Sequence, residues 1–478
     1  MKELLRDVLN YVESKVTYAD IRFVDRKNER INVENGVLSS YNMSTDRGVG
    51  IRVVVNGAWG FASSNILKKE SLLSNADKAI EIARASALTK KEDIVLAPED
   101  KHIATYITPI SRDPFEVAPS GKIDLLVKAT KMMLKGSVKK AKGSLDFYKT
   151  YKVFVSTEGS EIEQTIIESG GGIVAYAIGE RDFQTRSYPS SFGGDYATRG
   201  YEFIEEMNLL ENAERVSAEA NELLTASPAP TGVMDIIIAG SQLALQVHES
   251  CGHPVELDRV FGKEISYAGG SFLTTEKLNN FMYGSPHVTI VADATAPGGL
   301  GTFGYDDEGV PASQSYIINK GKFVGYLMSR EDAAKLGMKS NGAARAESWN
   351  RIPLVRMTNI NLLPGNFEFD ELIGGIKRGL YLDTNKSWSI DDKRLNFQFG
   401  TEIAREIHNG KLGKLYKNAV YQGITPEFWN SCDGVTNEKY WHIWGVPNCG
   451  KGQPPQTMHV AHGTSQARFR NVKVGASK

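Results

Sequence analysis

Apolar and polar residues follow a helical period at the start of the chain and a strand period soon afterwards. The helical pattern covers residues 2–16, and its apolar positions share one face: Leu4, Leu5, Val8, Leu9 and Val12. Residues 20–63 have the composition of strands. Their turns fall at Asn35-Gly36 and Asn56-Gly57, two dipeptides typical of β-hairpins. The chain is therefore predicted to open with a helix followed by antiparallel strands.

The remainder of the first half repeats this mixture of helix and strand. Three further segments have a helical pattern: residues 67–87, 120–140 and 201–226. Residues 144–190 return to a strand pattern. A proline-rich stretch, 227–232, then separates this half from the next and is the best linker candidate in the chain. We therefore predict an N-terminal α+β region over 1–227, divisible into subdomains 1–110 and 111–227, and a C-terminal domain over 228–478.

The second half is richer in glycine and in short strand signals. It begins with a buried strand over residues 233–240, after which Ser241 is a plausible N-cap for a helix over 242–253. Two further helices are predicted, over 329–337 and 369–379. The overall fold class is therefore α+β, with a mixed N-terminal half and a β-rich C-terminal domain.

Composition narrows the classes of partner and the compartment. The 478 residues include 56 Lys and Arg against 57 Asp and Glu, a balance that argues against nucleic acid and against an anionic membrane as partners. The charged N-terminus resembles neither a signal peptide nor a membrane span. Three cysteines in so long a chain argue against a disulfide framework and for a reducing compartment. We expect a cytoplasmic protein with cysteines available as thiolates.

The stretch from His248 to His253 carries the strongest chemical signal. Two imidazoles flank the carboxylate of Glu249, a combination that supplies metal ligands and an adjacent base. Zinc hydrolases commonly use H-E-x-x-H, whereas these histidines are five residues apart. On an ideal helix such positions diverge by about 140°. Either distortion at Gly252 and Pro254 or a one-residue π-bulge would bring both rings to one side.

A catalytic zinc site needs a third protein ligand and an open position. The residues leave several candidates open: a distant histidine, two nearby acidic residues and two thiols, Glu256, Asp258, Cys432 and Cys449. Cys251 is disfavoured, because it points between the two histidines. The acidic run Asp306-Asp307-Glu308 could line a peptide groove, although such a turn is usually solvated.

Taken with motifs elsewhere, these residues resemble the TldD/PmbA family of metalloproteases over nearly the whole chain. The family pattern H-E-x-x-x-H and a distant zinc-binding cysteine correspond to His248, Glu249, His253 and Cys449. Three other stretches are similar to family hallmarks: residues 48–62, 305–309 and 467–472. One departure is the Pro-Val-Glu that follows His253, where small residues are common in the family. Because all the ligand positions are present, the chain resembles the metal-bearing TldD type.

This resemblance implies a zinc peptidase with one Zn²⁺ held by His248, His253 and Cys449, and with Glu249 as catalytic base. It also implies a dimer that encloses the site, either with a second copy or with a metal-free PmbA/TldE-like subunit, and unfolded or short peptides as substrates. Two other functions stay open: a non-catalytic subunit that binds peptides, and a zinc amidohydrolase acting on small amides. Four residues are candidates for stabilising the oxyanion: Tyr305, Arg345, His459 and His462.

Overall fold

A long antiparallel sheet forms the base of the N-terminal half in the computed structural model, which describes residues 1–477. Its eight strands are β1 (Tyr18–Glu34), β2 (Val37–Val55), β3 (Ala58–Ser64), β4 (Ile103–Ile107), β5 (Val138–Ser156), β6 (Glu161–Ile178), β7 (Phe183–Tyr188) and β8 (Asp195–Ala197). Their order is β3-β2-β1-β5-β6-β4, with β7 and β8 also paired to β6 and with β4 parallel to β6. The predicted hairpin turns are confirmed, because Asn35-Gly36 and Asn56-Gly57 adopt the positive φ angles that such turns require.

Five helices accompany this sheet: α1 (Lys2–Glu13), α2 (Lys69–Ala87), α3 (Pro119–Met133), α4 (Glu202–Glu206) and α5 (Leu209–Thr225). Two of the predictions were wrong in detail. The helix predicted over 120–140 ends at Met133, because Gly136 turns the chain with φ +60° and β5 begins at Val138. The helix predicted over 201–226 is broken at Asn208, which adopts φ +51° and starts a new helix.

The sheet carries two separate apolar cores. One forms where α1 and α2 pack on β1–β3, and it includes Leu5, Val8, Ile21 and Leu72. The other forms where α3 and α5 cover β5 and β6. Since β1 pairs with β5 over 15 positions, the two cores lie on one continuous sheet.

The C-terminal half is dominated by strands. They are β9 (Ser227–Pro228), β10 (Gly232–Ile238), β11 (Ile290–Asp293), β12 (Gln314–Asn319), β13 (Lys322–Phe323), β14 (Ala344–Arg345), β15 (Leu354–Val355), β16 (Ile360–Leu362), β17 (Arg378–Ile390), β18 (Asn396–His408), β19 (Lys411–Lys417), β20 (Ala419–Ile424), β21 (Cys432–Val435), β22 (His442–Lys451), β23 (Gln456–Thr464) and β24 (Ala467–Ala476). The helices are α6 (Gly240–Val247), α7 (Leu257–Val260), α8 (Arg330–Lys335), α9 (Phe369–Gly374) and α10 (Thr425–Asn430). This balance confirms the α+β class and the β-rich second half.

The main C-terminal sheet has the order β17-β10-β24-β20-β18-β19-β9, with β21 paired to β24. A four-stranded sheet, β13-β12-β11-β16, and two hairpins, β14-β15 and β22-β23, complete this half. Between these sheets lies the largest apolar core, into which α6 runs directly from the end of β10 with every residue buried. The predicted N-cap was wrong: the helix starts at Gly240, and the Ser241 hydroxyl instead donates to Asp383.

The stretch predicted as a linker is an ordered segment. Ser227 and Pro228 pair in parallel with Tyr416 and Lys417 of β19, so the chain crosses between the two halves along a sheet edge. The division at 227/228 stays a prediction. None of the helices in residues 1–477 combines the length and the hydrophobicity of a membrane span.

The acidic run 306–308 is buried, contrary to the expectation of a solvated turn. Asp306 accepts hydrogen bonds from the backbone N–H of Glu308, Val310 and Ala344, which satisfies its carboxylate inside the fold. Its two neighbours face the N-terminal sheet, where Asp307 pairs with Lys152 and Glu308 pairs with Arg52. The run therefore joins the two halves of the chain.

Candidate active site

The candidate site begins where α6 changes its hydrogen-bond pattern. Residues His248–Gly252 form a turn of π-helix, and the backbone N–H of His253 donates to the carbonyl of His248, five residues earlier. A π turn places residues five apart on one side, so the two imidazoles meet with ring centroids 4.9 Å apart. Of the two distortions considered for this motif, the structure contains the π-bulge. Gly252 has a packing role there, because a Cβ at this position would lie 2.1 Å from Met357 Sδ.

The hairpin β22-β23 brings Cys449 to the two histidines. Its Sγ lies 3.8 Å from His253 Nε2, and one ligand atom from each of His248, His253 and Cys449 falls within 4.8 Å of the others. All three side chains are buried, with 3–4 % of each residue exposed. Two imidazoles and a thiolate with room for a fourth group match the donor set of a catalytic transition-metal site.

Glu256 fixes the orientation and tautomer of His253. Its Oε2 lies 3.0 Å from His253 Nδ1. This nitrogen therefore carries the proton and donates a hydrogen bond to the carboxylate. The lone pair of Nε2 is left facing Cys449. Glu256, one of the alternative third ligands, thus contacts the ring nitrogen that points away from the cluster.

A second histidine, His462, fixes the orientation and tautomer of His248. His462 Nδ1 lies 3.2 Å from the Ile360 carbonyl, which can only accept, so this nitrogen carries the proton. His462 Nε2 then accepts from His248 Nδ1 at 2.7 Å. The result leaves the lone pair of His248 Nε2 free on the side of the cluster. His462, considered above for the oxyanion, instead lies behind His248.

The electrostatic environment favours neutral imidazoles and a thiolate. Burial lowers the pKa of His248, and it lowers the pKa of His253 and of His462 well below the usual value. Burial alone would raise the pKa of Cys449, but the positive charges around the thiol, that of Arg356 above all, outweigh burial and hold the pKa below its usual value. These are the protonation states in which the three groups bind a metal cation.

The other candidate ligands lie elsewhere. Cys432 is part of β21 in the apolar core, and burial raises its pKa to about 12. Cys251 is also buried in that core, and burial raises its pKa. Asp258 accepts a hydrogen bond from the buried ammonium of Lys451 at 2.7 Å. Within residues 1–477, the metal-competent cluster is therefore the one formed by His248, His253 and Cys449.

A cavity of about 380 Å³ is lined by the cluster and by Glu249. The carboxylate of Glu249 is paired with the guanidinium of Arg394, a residue of the turn between β17 and β18 that the sequence analysis did not identify. Aromatic and aliphatic side chains complete the wall: Phe192, Leu245, Trp388, Ile390 and Val446.

Three of the proposed oxyanion residues line a different cavity. Tyr305, Arg345 and His459 face a space of about 90 Å³ between the two halves of the chain. There His459 Nδ1 lies 3.0 Å from Glu168, while Arg345 donates to the carbonyls of Met357 and His459. The His459 contact binds the C-terminal hairpin to the N-terminal sheet, and the Arg345 contacts stay within the C-terminal half.

Comparison with known proteins gives a consistent assignment. Residues 231–476 match the PmbA/TldA metallopeptidase C-terminal domain, and residues 19–87 match PmbA/TldA metallopeptidase domain 1. A metalloprotease of Methanothermobacter thermautotrophicus is 30% identical over 475 residues, which cover 99% of each chain. A zinc metalloprotease TldD homolog of Saccharolobus solfataricus is 24% identical over 97% of each chain.

The fold has also been observed by crystallography. The structure of TldE from Thermococcus kodakarensis superposes with a TM-score of 0.73 at 16% identity, covering 99% of this chain and all of that one. This agreement concerns the fold, whereas the family is shown by the match over residues 231–476 and by the relative that is 30% identical over 99% of each chain. The chain belongs to the TldD/PmbA family of metallopeptidases.

Proposed function

We propose that this protein is a zinc-dependent peptidase in which His248, His253 and Cys449 hold one Zn²⁺ and Glu249 is the catalytic base. The observation that carries the proposal is the convergence of two neutral imidazoles and a thiolate within 4.8 Å beside that carboxylate. The soft thiolate and the two nitrogen donors favour zinc over harder cations. When bound, zinc polarises the peptide carbonyl and lowers the pKa of a water ligand.

Glu249 moves the proton in the proposed reaction. It lines the same cavity as the three ligands and has no role in holding them, which leaves its carboxylate available to accept a proton from the attacking water. It then returns that proton to the leaving amine. Arg394 keeps the carboxylate oriented in the cavity between these two transfers.

The proposed substrates are unfolded or short peptides, because the cluster is buried and lies in a cavity of only about 380 Å³. A folded protein cannot reach such a site, whereas a single extended strand can. We further propose a dimer around the site, formed with a second copy or with a metal-free TldE-like subunit. Similarity to a TldE structure supports this assembly at the level of the fold.

Elemental analysis of purified protein tests the proposal most directly. Wild type should contain about one zinc per chain and cleave unfolded peptides. Cys449→Ala should lose both, whereas Cys432→Ala, which removes a buried thiol outside the cluster, should keep both. Wild type without zinc, or zinc and activity that survive in Cys449→Ala, would contradict the proposal.

A further inference from the structure

Arg394 adds a permanent positive charge to the cavity that is lined by His248, His253 and Cys449, called the metal cavity below. Among the described residues that line this cavity it is the one arginine or lysine, and 14% of its side chain is exposed. Its Nη1 donates to Glu249 Oε2, so that the guanidinium lies beside the proposed base. A group in this position can contact a substrate.

The backbone is held in an unusual conformation to place this side chain. Arg394 adopts φ +64°, a left-handed conformation that side chains other than glycine and asparagine rarely adopt. The turn is fixed by Asp391, which accepts from the backbone N–H of Leu395 and of Asn396, and by Thr425, whose hydroxyl donates to the Arg394 carbonyl. Strain retained at a cavity wall is typical of functional sites.

The guanidinium has donors to spare. Of its five N–H groups, one is used for Glu249; the Nε group is buried, so the donors left for a ligand are the remaining ones on Nη1 and Nη2. Arginine binds carboxylates through two parallel hydrogen bonds. A second carboxylate can therefore bind without displacing Glu249.

Apolar side chains form part of the cavity wall. Phe192 and Trp388 pack edge to face with ring centroids 5.6 Å apart, and Ile390 lies at the end of the same strand as Trp388. Apolar side chains near a guanidinium that keeps unused donors beside Glu249 suit an apolar residue that carries a carboxylate on its own backbone. In a peptide, that combination occurs at the C-terminal residue.

We infer that Arg394 binds the C-terminal carboxylate of the substrate and directs cleavage to peptides that end in an apolar residue with a free α-carboxylate. This inference rests on the proposed peptidase function and names its substrate class. The reaction adds one water across the last peptide bond: a C–O bond forms, the C–N bond breaks, and Glu249 passes the water proton to the departing amine. No electron transfer is involved.

Binding to the zinc-loaded full-length protein tests the inference without turnover. Calorimetry compares N-acetyl-phenylalanine with N-acetyl-phenylalaninamide, which differ only in the carboxylate. Wild type should bind the acid about tenfold more tightly, because a hydrogen bond between two charged groups contributes about that much to the affinity. Arg394→Gln should abolish this preference, and Lys393→Gln, which removes the neighbouring exposed charge, should retain it.

Two results would overturn the inference. The first is equal or undetectable binding of the two ligands to wild type. The second is a preference for the acid that persists in Arg394→Gln, which would assign the carboxylate to zinc instead. Zinc content and the unfolding midpoint of Arg394→Gln must match wild type for this comparison, and the milder Arg394→Lys serves in its place if they do not.

Hydrolysis separates this inference from the proposed function. A peptide ending in Phe is compared with its C-terminal amide, and the ratio of kcat/KM values is measured in wild type and in Arg394→Gln. Equal cleavage of both peptides by wild type contradicts the role of Arg394 while the peptidase function stands. An equal loss for both peptides in the variant assigns Arg394 to positioning Glu249 alone. If zinc-loaded wild type cleaves neither peptide, at its last peptide bond or at an internal one, the proposed function fails. The calorimetric comparison of the two ligands is unaffected by that outcome.

Discussion

His462 Nε2 lies 2.7 Å from His248 Nδ1, and both rings are buried. The contact joins β23 to the π turn across more than two hundred residues of sequence. Because His462 Nδ1 donates to the Ile360 carbonyl, the proton between the two rings belongs to His248. His462 thus determines which nitrogen of His248 faces His253 and Cys449.

Loss of His462 should weaken metal binding. In His462→Ala, the His248 ring loses the acceptor that fixes its tautomer and orientation, so we expect zinc affinity to fall by about 10–100-fold. Competition with a chelator of known affinity measures the change. His459→Ala is the matched control, because that ring lies in the neighbouring cavity. Equal zinc affinity in wild type and His462→Ala would refute the role.

Replacing the proposed base should separate metal binding from turnover. Glu249→Gln keeps the shape of the side chain and leaves the three ligands untouched, so zinc content should be unchanged. Peptide turnover should fall by about 10²–10⁴-fold, the usual contribution of a general base. Steady-state kcat on an unfolded peptide is the measurement, and the exposed Glu438→Gln is the control. Substantial activity in Glu249→Gln would assign the proton transfer to another group.

Turns that depend on a few neighbouring residues could be predicted from the sequence. The hairpins at Asn35-Gly36 and Asn56-Gly57 were predicted because these residues tolerate positive φ angles. The π turn was predicted as one of two possibilities, because histidines five residues apart can converge only if the helix is distorted there. By contrast, the break at Asn208 was not predicted, because this asparagine is followed by Leu209 rather than by glycine and apolar residues continue on both sides of it.

Contacts that depend on topology could not be predicted. Arg394 reaches Glu249 because the β17-β18 turn lies over the metal cavity, and no spacing in the sequence reveals that proximity. His462 was one of four candidates for stabilising the oxyanion, but its place behind His248 depends on the pairing of β22 with β23. The buried acidic run 306–308 was misjudged for the same reason, because its cationic partners belong to the N-terminal sheet.

Arg186 should be important for stability. It lies in β7 with 7% of its side chain exposed and pairs with Glu219, Asp383 and Glu402, which joins the two halves of the chain. In Arg186→Ala, Glu402 would be left as an uncompensated buried charge, which should reduce the free energy of unfolding by about 3–5 kcal/mol.

Denaturant unfolding measures this effect against a matched arginine. Arg215 pairs with the same Glu219, but 43% of its side chain is exposed. Its replacement by alanine should cost less than about 1 kcal/mol. Equal losses in the two variants would show that burial of the ion pair is not what makes Arg186 important.

The pair formed by His442 and Asp195 should make stability depend on pH. Burial opposes the charge on His442, but the hydrogen bond and the negative charge of Asp195, at 2.7 Å, outweigh it and raise the pKa of the imidazole. A raised pKa in the folded state means that the stabilisation is complete below the unfolded pKa of about 6.5 and is lost as the pH rises through the folded value. Because 46% of the His442 side chain is exposed, screening should limit the contribution to about 1 kcal/mol or less. We therefore expect His442→Gln to be less stable than wild type at about pH 5 and to approach wild type at about pH 9, as measured by urea unfolding.

His408→Gln is the control. This substitution removes an exposed imidazole bonded to Asn409 and should show no such difference in stability between the two pH values. A destabilisation by His442→Gln that grows as the pH rises would mean that the neutral imidazole makes the stabilising contact.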